Sequence, residues 1–185
     1  MKFESVKGYT KTAKWVHWGM AVIWIVAWCI GMVCVHLRDP FNPDHVLTGV
    51  HKSLASTILF LVVFRVVWRL AHPVPPLPGN MSSFMRRGAR AGHLLLYALA
   101  LGALPFSGWY MSSLGGKPVH VAWLFALPQL SVPDQNLYNV ARGVHTYLAW
   151  LCGLLISGHI LAAFYHHYVQ RDGVLDAMLL KKSDR

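Results

Sequence analysis

Three stretches of the chain run without a single Asp, Glu, Lys or Arg: Trp15 to Leu37, Ala91 to Gly116 and Gly143 to Gln170. About 20 apolar residues in a helix cross the hydrocarbon core of a bilayer, and each run exceeds that length. A fourth run, Leu47 to Leu70, contains Lys52, Arg65 and Arg69 but keeps the apolar centre SLASTILFLVVF from Ser53 to Phe64. Its cations sit near the ends, where long side chains reach the interface. The pattern predicts spanning helices over about residues 10–36, 47–70, 91–113 and 141–169, and one domain over 1–185. The fold class is therefore all-α, an integral membrane four-helix bundle.

The connections read as loops from their own chemistry. RDPFNPDH carries two prolines and two aspartates, HPVPPLPGNMSS is a stiff Pro-rich spacer, and the third connection, from about Ser112 to Asn139, is the longest. Its VAWLFAL stretch fits either a short helix lying on the outer leaflet or a hydrophobic loop packed over the bundle. The first apolar run is too long for a signal-peptide core and lacks a small-residue cleavage pattern, so it is read as a retained helix. Lys2, Lys7, Lys11, Lys14, Arg65, Arg69, Arg86, Arg87, Arg90, Arg171, Lys181, Lys182 and Arg185 fall on one side, against Arg38, Lys52, Lys117 and Arg142 on the other. That bias places both termini in the cytoplasm. Trp15, Trp18, Trp68, Trp109, Trp123 and Tyr168 lie near predicted helix ends, as interfacial anchors do.

Composition narrows the chemistry. Hydrophobic residues make up 55% and charged residues 13% of the chain, and only 7 residues are acidic, with none between Asp44 and Asp134. Paired-carboxylate hydrolases and acidic Mg²⁺ or Ca²⁺ sites need Asp or Glu in the core, so both are excluded from that region. The net charge of +10 punctuates apolar runs instead of forming a basic face on a soluble fold, which argues against nucleic acid. Cys29, Cys34 and Cys152 lie inside or at the ends of apolar helices, and the absence of C-x-x-C-H excludes covalent c-type haem. Zinc or iron-sulfur sites built from closely spaced cysteines are likewise unsupported.

Eleven histidines remain. His145 and His159 share the fourth helix, offset by about four helical turns, which brings them within about 40° of the same face and about 21 Å apart along the axis. With His145 about 5 Å inside one edge of a hydrocarbon core about 30 Å thick, His159 falls about 4 Å inside the other. His17 enters the first helix at the depth of His159, and His51 enters the second at the depth of His145. Two imidazole pairs at two depths are what bis-His ligation of b-type haem requires. Gly19, Gly49, Gly143 and Gly158 beside these positions leave room for a flat macrocycle or serve close helix packing. His166 and His167 lie at the cytoplasmic interface. His93 opens the third helix and is read as a propionate or quinone contact, while His36, His45, His72 and His120 fall in predicted loops and are read as solvated.

At these residues the chain resembles the bacterial cytochrome b561 family of small di-haem inner-membrane cytochromes. The resemblance rests on AKWVHWGMAVIW, GVHKSLASTILFLVVFRVVWRLAHPVPPLP, GHLLLYALALGALPFSGW and RGVHTYLAWLCGLLISGHILAAFYHHYVQRDGVLDAML, most of the chain outside its tails and third loop. It implies two non-covalent haem b groups with bis-His iron, His17 and His159 on the cytoplasmic side and His51 and His145 on the periplasmic side. It also implies a multi-pass protein of the bacterial inner membrane that passes electrons from an external one-electron donor to the ubiquinone pool, with superoxide oxidation attributed to the family.

Two groups of cations bear on that expectation. Lys52, Lys117 and Arg142 gather near the outer pair, where they either steer a small anion such as superoxide or neutralise propionates and anchor to headgroups. Arg65 follows His51 at the same offset that separates His145 from His159, which places it at the depth of the inner pair. A haem propionate would satisfy it with help from Arg69, and snorkelling is the alternative. Against this superoxide:ubiquinone oxidoreductase stand a haem b anchor subunit of a larger dehydrogenase or hydrogenase, and a non-redox His-lined metal transporter. The oligomeric state stays open.

Overall fold

A computed structural model describes residues 8–72, 74–79 and 81–180. The tail cations Lys2, Lys7, Lys181, Lys182 and Arg185 lie outside the described residues, as does the side chain of Arg38. Four helices are long and apolar enough to cross a membrane: α1, Lys11–His36; α2, Val46–Ala71; α3, Ser83–Leu114; and α4, Gln135–Gln170. They form a four-helix bundle. Many of their large apolar side chains, Val22, Val63, Val67, Leu154 and Leu161 among them, point outward, where lipid replaces the water a soluble bundle would face.

Each helix starts where its backbone donors find an acceptor. Thr10 Oγ1 accepts from the Ala13 amide at 3.2 Å. A single helical turn, Arg38–Phe41, leads to the buried Asn42, whose Oδ1 accepts from the Leu47 amide at 2.9 Å at the head of α2. α3 begins at Ser83, well before the apolar run, because Ser82 Oγ accepts from the Met85 amide and the first turns carry Arg86, Arg87 and Arg90 on an amphipathic segment that hydropathy alone does not register. Asp134 does the same for α4, accepting from Asn136 and Leu137 at 2.9 Å each, more than a turn ahead of the expected start.

The centre of the bundle is narrow. Ala100, Ala149 and Cys152 let the helices approach around Met20, Trp24, Ile58 and Leu104, as small residues do where lipid removes the hydrophobic drive for association. α3 is interrupted by a π-helical stretch, Leu96–Ala103. Within it the Ala100 carbonyl accepts from the buried Trp24 indole at 3.0 Å. Trp28 donates to the Ala149 carbonyl at 2.9 Å and lies against Gly153, where a Cβ would meet its ring at 3.0 Å. Two indoles thus tie α1 to α3 and α4 across the middle of the bundle.

The third connection holds a two-stranded hairpin, β1 (His120–Val121) antiparallel to β2 (Phe125–Ala126). VAWLFAL is therefore a hydrophobic loop packed on the bundle and not an interfacial helix. Ala122 and Trp123 take positive φ values of 45° and 60°, which no right-handed helix allows. The tip is held against α2: Ser53 Oγ accepts from the Trp123 amide at 2.9 Å, Ser56 Oγ donates to the His120 carbonyl, and Phe125 packs edge-on against Phe60.

At the opposite end the chain after α4 turns back beneath α1. Trp18 donates to the Met178 carbonyl at 3.0 Å, Lys14 to the Leu179 carbonyl at 2.9 Å, and the Tyr9 amide to the Ala177 carbonyl. Both ends of the described chain thus meet at one end of the bundle, called here the terminal end; the other, carrying the hairpin, is the hairpin end.

Candidate functional site

The histidines sit in a shared register. The offset between His145 and His159 on α4 recurs between His17 and Gly31 on α1 and between His51 and Arg65 on α2. Gly31 lies against the His51 ring, so about 21 Å along each helix separates one level from the other. On α3 the corresponding contacts are His93, beside His159, and Gly108, beside His145. Their offset is longer by a single residue, and α3 is the helix whose π-helical stretch takes up an extra residue.

At the hairpin end the His51 and His145 rings have centroids 6.2 Å apart, their planes at 75°. An iron bound to two imidazole nitrogens at about 2 Å each separates the ring centres by about 6 Å, so the pair stands at the spacing of a bis-His site. The far nitrogens are already engaged. His51 Nδ1 lies 2.7 Å from the Ala27 carbonyl, an acceptor only, so Nδ1 carries the proton and Nε2 the free lone pair. His145 Nδ1 lies 2.8 Å from Ser107 Oγ. Each ring also rests on a glycine of a neighbouring helix: a Cβ on Gly31 would stand 3.0 Å from His51, and one on Gly108 2.9 Å from His145. Both rings face a cavity of about 270 Å³ whose wall includes Trp24, Trp28, Lys117 and Arg142 and, among the described residues, no carboxylate.

At the terminal end His17 and His159 have centroids 6.3 Å apart with planes at 78°, the same spacing. Their surroundings are different. Among the described residues no hydrogen bond engages either ring; the neighbours are Trp18 against His17 and His93, 5.4 Å from His159. The Nδ1 of His93 is 2.6 Å from the Ala89 carbonyl of its own helix. Arg65 is close enough to act electrostatically on both His17 and His159. Its Nε donates to the Tyr97 hydroxyl at 2.7 Å, and the Arg65 and Arg69 guanidiniums stand 5.8 and 6.0 Å from the Tyr97 ring centre.

The cations at the hairpin end divide. Lys117 and Arg142 line the cavity. Lys52, the neighbour of His51 in sequence, turns away: its ammonium donates to the Pro118 carbonyl at 2.7 Å and to Ser112 Oγ at 3.2 Å, fastening the third connection to α2. His45, read from sequence as solvated, lines the same cavity, and His72 stacks on Trp68 at 4.0 Å. His166 pairs with Asp172, beyond the level of His159. Gly19, Gly49, Gly143 and Gly158 face open space, with no atom near a built Cβ. Sequence reasoning missed Gly31, Tyr97, Ser107 and Gly108; the offset of Gly31 from His17, equal to that between the α4 histidines, was a usable signal for the first.

The sequence pattern of prokaryotic cytochrome b561 matches residues 8–181. The chain belongs to the prokaryotic cytochrome b561 family. Among its relatives, cytochrome b561 homolog 2 of Escherichia coli (strain K12) is 35% identical over 168 residues, covering 90% of this chain and 88% of the relative. The probable superoxide oxidase CybB of Yersinia pestis is 29% identical over 169 residues, 90% of this chain and 93% of that protein. Cytochrome b561 homolog 1 of E. coli is 23% identical over 181 residues, 94% and 98% of the two chains. As a cytochrome b561, the protein is a multi-pass inner-membrane electron carrier that binds haem b. The residues suit that group: two pairs of imidazoles at iron-bridging distance, cations for propionates, and, among the described residues, no competing carboxylate on the cavity wall.

Proposed function

We propose that the protein holds two haem b groups and carries electrons from superoxide to ubiquinone. The observation that carries this reading is the repeated imidazole spacing, 6.2 Å at one level and 6.3 Å at the other. His51 and His145 hold one haem at the hairpin end, which we assign to the periplasmic side because most basic residues cluster toward the other end. His17 and His159 hold the second on the cytoplasmic side, with both termini. Haem b, when bound, supplies reversible one-electron chemistry at its iron.

The chain's own residues do the rest. Lys117 and Arg142 draw an anion toward the outer cavity, with Lys52 adding charge from the rim. Arg65, Arg69 and Tyr97 hold a propionate of the inner haem, and His93 stands beside His159 as a further propionate or quinone contact. In the net reaction two superoxide anions each lose one electron to become dioxygen, and one ubiquinone takes both electrons and two protons to become ubiquinol. The relative named as a probable superoxide oxidase supports this choice of donor.

The experiment is stopped-flow mixing of the purified haem-loaded protein with superoxide, followed by a ubiquinone analogue. Reduction faster than by a neutral one-electron donor, then reoxidation by the quinone, is the expected result. Reduction no faster than by the neutral donor removes superoxide and leaves quinone-linked electron transfer from another source.

A further inference from the structure

Ser107 is engaged on both sides. Its Oγ donates to the Leu104 carbonyl, one turn back in α3, at 2.7 Å, and the same oxygen lies 2.8 Å from His145 Nδ1. A hydroxyl has one proton to give. With that proton directed at Leu104, the second bond must use the proton of Nδ1, and His145 is the tautomer with a bare Nε2. Gly108, the next residue, is the wall on which the ring rests, with no room for a Cβ. The Leu104 carbonyl also bears on the His145 ring, so Ser107 supplies one of two acceptors for this imidazole and Gly108 supplies its bed. On the facing ring the acceptor is the main-chain carbonyl of Ala27, which no side-chain substitution removes.

We propose that Ser107 is a positioning residue that accepts from His145 Nδ1–H beside the Leu104 carbonyl and tunes the reduction potential of the iron His145 holds. This rests on the assignment of His145 as a haem ligand. An acceptor on Nδ1–H pushes electron density through the ring to Nε2 and favours the ferric over the ferrous state. Taking the acceptor away raises the potential. Ser107 touches neither substrate nor haem in this scheme and acts only through His145.

The test is an optical redox titration of the haem-loaded full chain in lipid nanodiscs, with Ser107→Ala, Ser107→Thr and His145→Ala beside the native protein. Ser107→Ala is expected to keep both haems and weaken the ferric preference of one about tenfold, equivalent to about +59 mV for one electron. Ser107→Thr keeps the hydroxyl and should return the native value, and the second haem should not move in either variant. If His145→Ala costs one haem while Ser107→Ala leaves both potentials unchanged, the role of Ser107 is overturned and the ligand assignment stands. If His145→Ala retains both haems, the assignment fails and the proposal with it.

Discussion

At the hairpin end both imidazoles are fastened at Nδ1, one to the Ala27 carbonyl and one to Ser107, and each lies on a glycine that leaves no space for a side chain. At the terminal end the same ring spacing is reached, among the described residues, with neither device. His17 and His159 are flanked by aromatic rings and by the Arg65–Tyr97 contact. One pair is seated by close contacts and hydrogen bonds; the other lies beside a cation and aromatic rings. A geometric socket fixes the ligand before any cofactor arrives, whereas a charge-lined site depends on what the cofactor brings, its propionates above all. The two ends should therefore fail in different ways.

The largest contrast is expected from the glycines. Gly31→Val or Gly108→Val drives side-chain atoms into an imidazole already at 3.0 or 2.9 Å from the Cβ position, and should abolish one haem while the other keeps its native spectrum. Pyridine-haemochrome content measured against protein reads this directly. If both haems survive either change, the shape-held description of the hairpin end is wrong.

A smaller, opposite contrast concerns Arg65. Arg65→Leu removes a cation from beside His17 and His159 and should lower the potential of one haem by about 59 mV or more, a tenfold change in its ferric–ferrous balance, without touching the haem of His51 and His145. Tyr97→Phe, which removes the hydroxyl that orients Arg65, should give a fraction of that shift. Equal shifts at both haems would dissolve the distinction between the ends.

The smallest effects separate the cations of the hairpin end. Lys117→Gln and Arg142→Gln should each slow haem reduction by superoxide several-fold at low salt and flatten its fall with ionic strength, since screening acts over about 8 Å at physiological salt. Lys52→Gln should change the rate less, because its ammonium already serves Pro118 and Ser112, and should instead loosen the third connection in hydrogen exchange. A rate loss for Lys52→Gln as large as for Arg142→Gln would place it functionally in the cavity.

The limits of sequence reading follow the same division. The four helices and the paired histidines are legible because length, charge-free runs and a repeated offset along a helix survive in one dimension. What a residue meets on another helix does not. Gly31 and Gly108 are glycines in apolar runs like any other until His51 and His145 are laid against them, and Ser107 gains its meaning only from a ring on α4. The π-helical stretch hides the register on α3, where the two levels are separated by one residue more than on the other helices. Lys52 invited assignment to the cavity through its neighbour His51, but adjacent helical residues point about 100° apart. VAWLFAL was ambiguous for a different reason: a short apolar run does not announce helix or hairpin, and the decision rests with Ser53 and Ser56 on α2.

The central claim, two haems held by two separate imidazole pairs, is tested most directly by counting haems in the four single variants His17→Ala, His51→Ala, His145→Ala and His159→Ala. The native chain should carry two haems and each variant one. The haem lost from His51→Ala and His145→Ala should be the same by potential and spectrum, and the other haem should be lost from His17→Ala and His159→Ala. One haem in the native chain, or His51→Ala and His159→Ala losing the same haem, would contradict it.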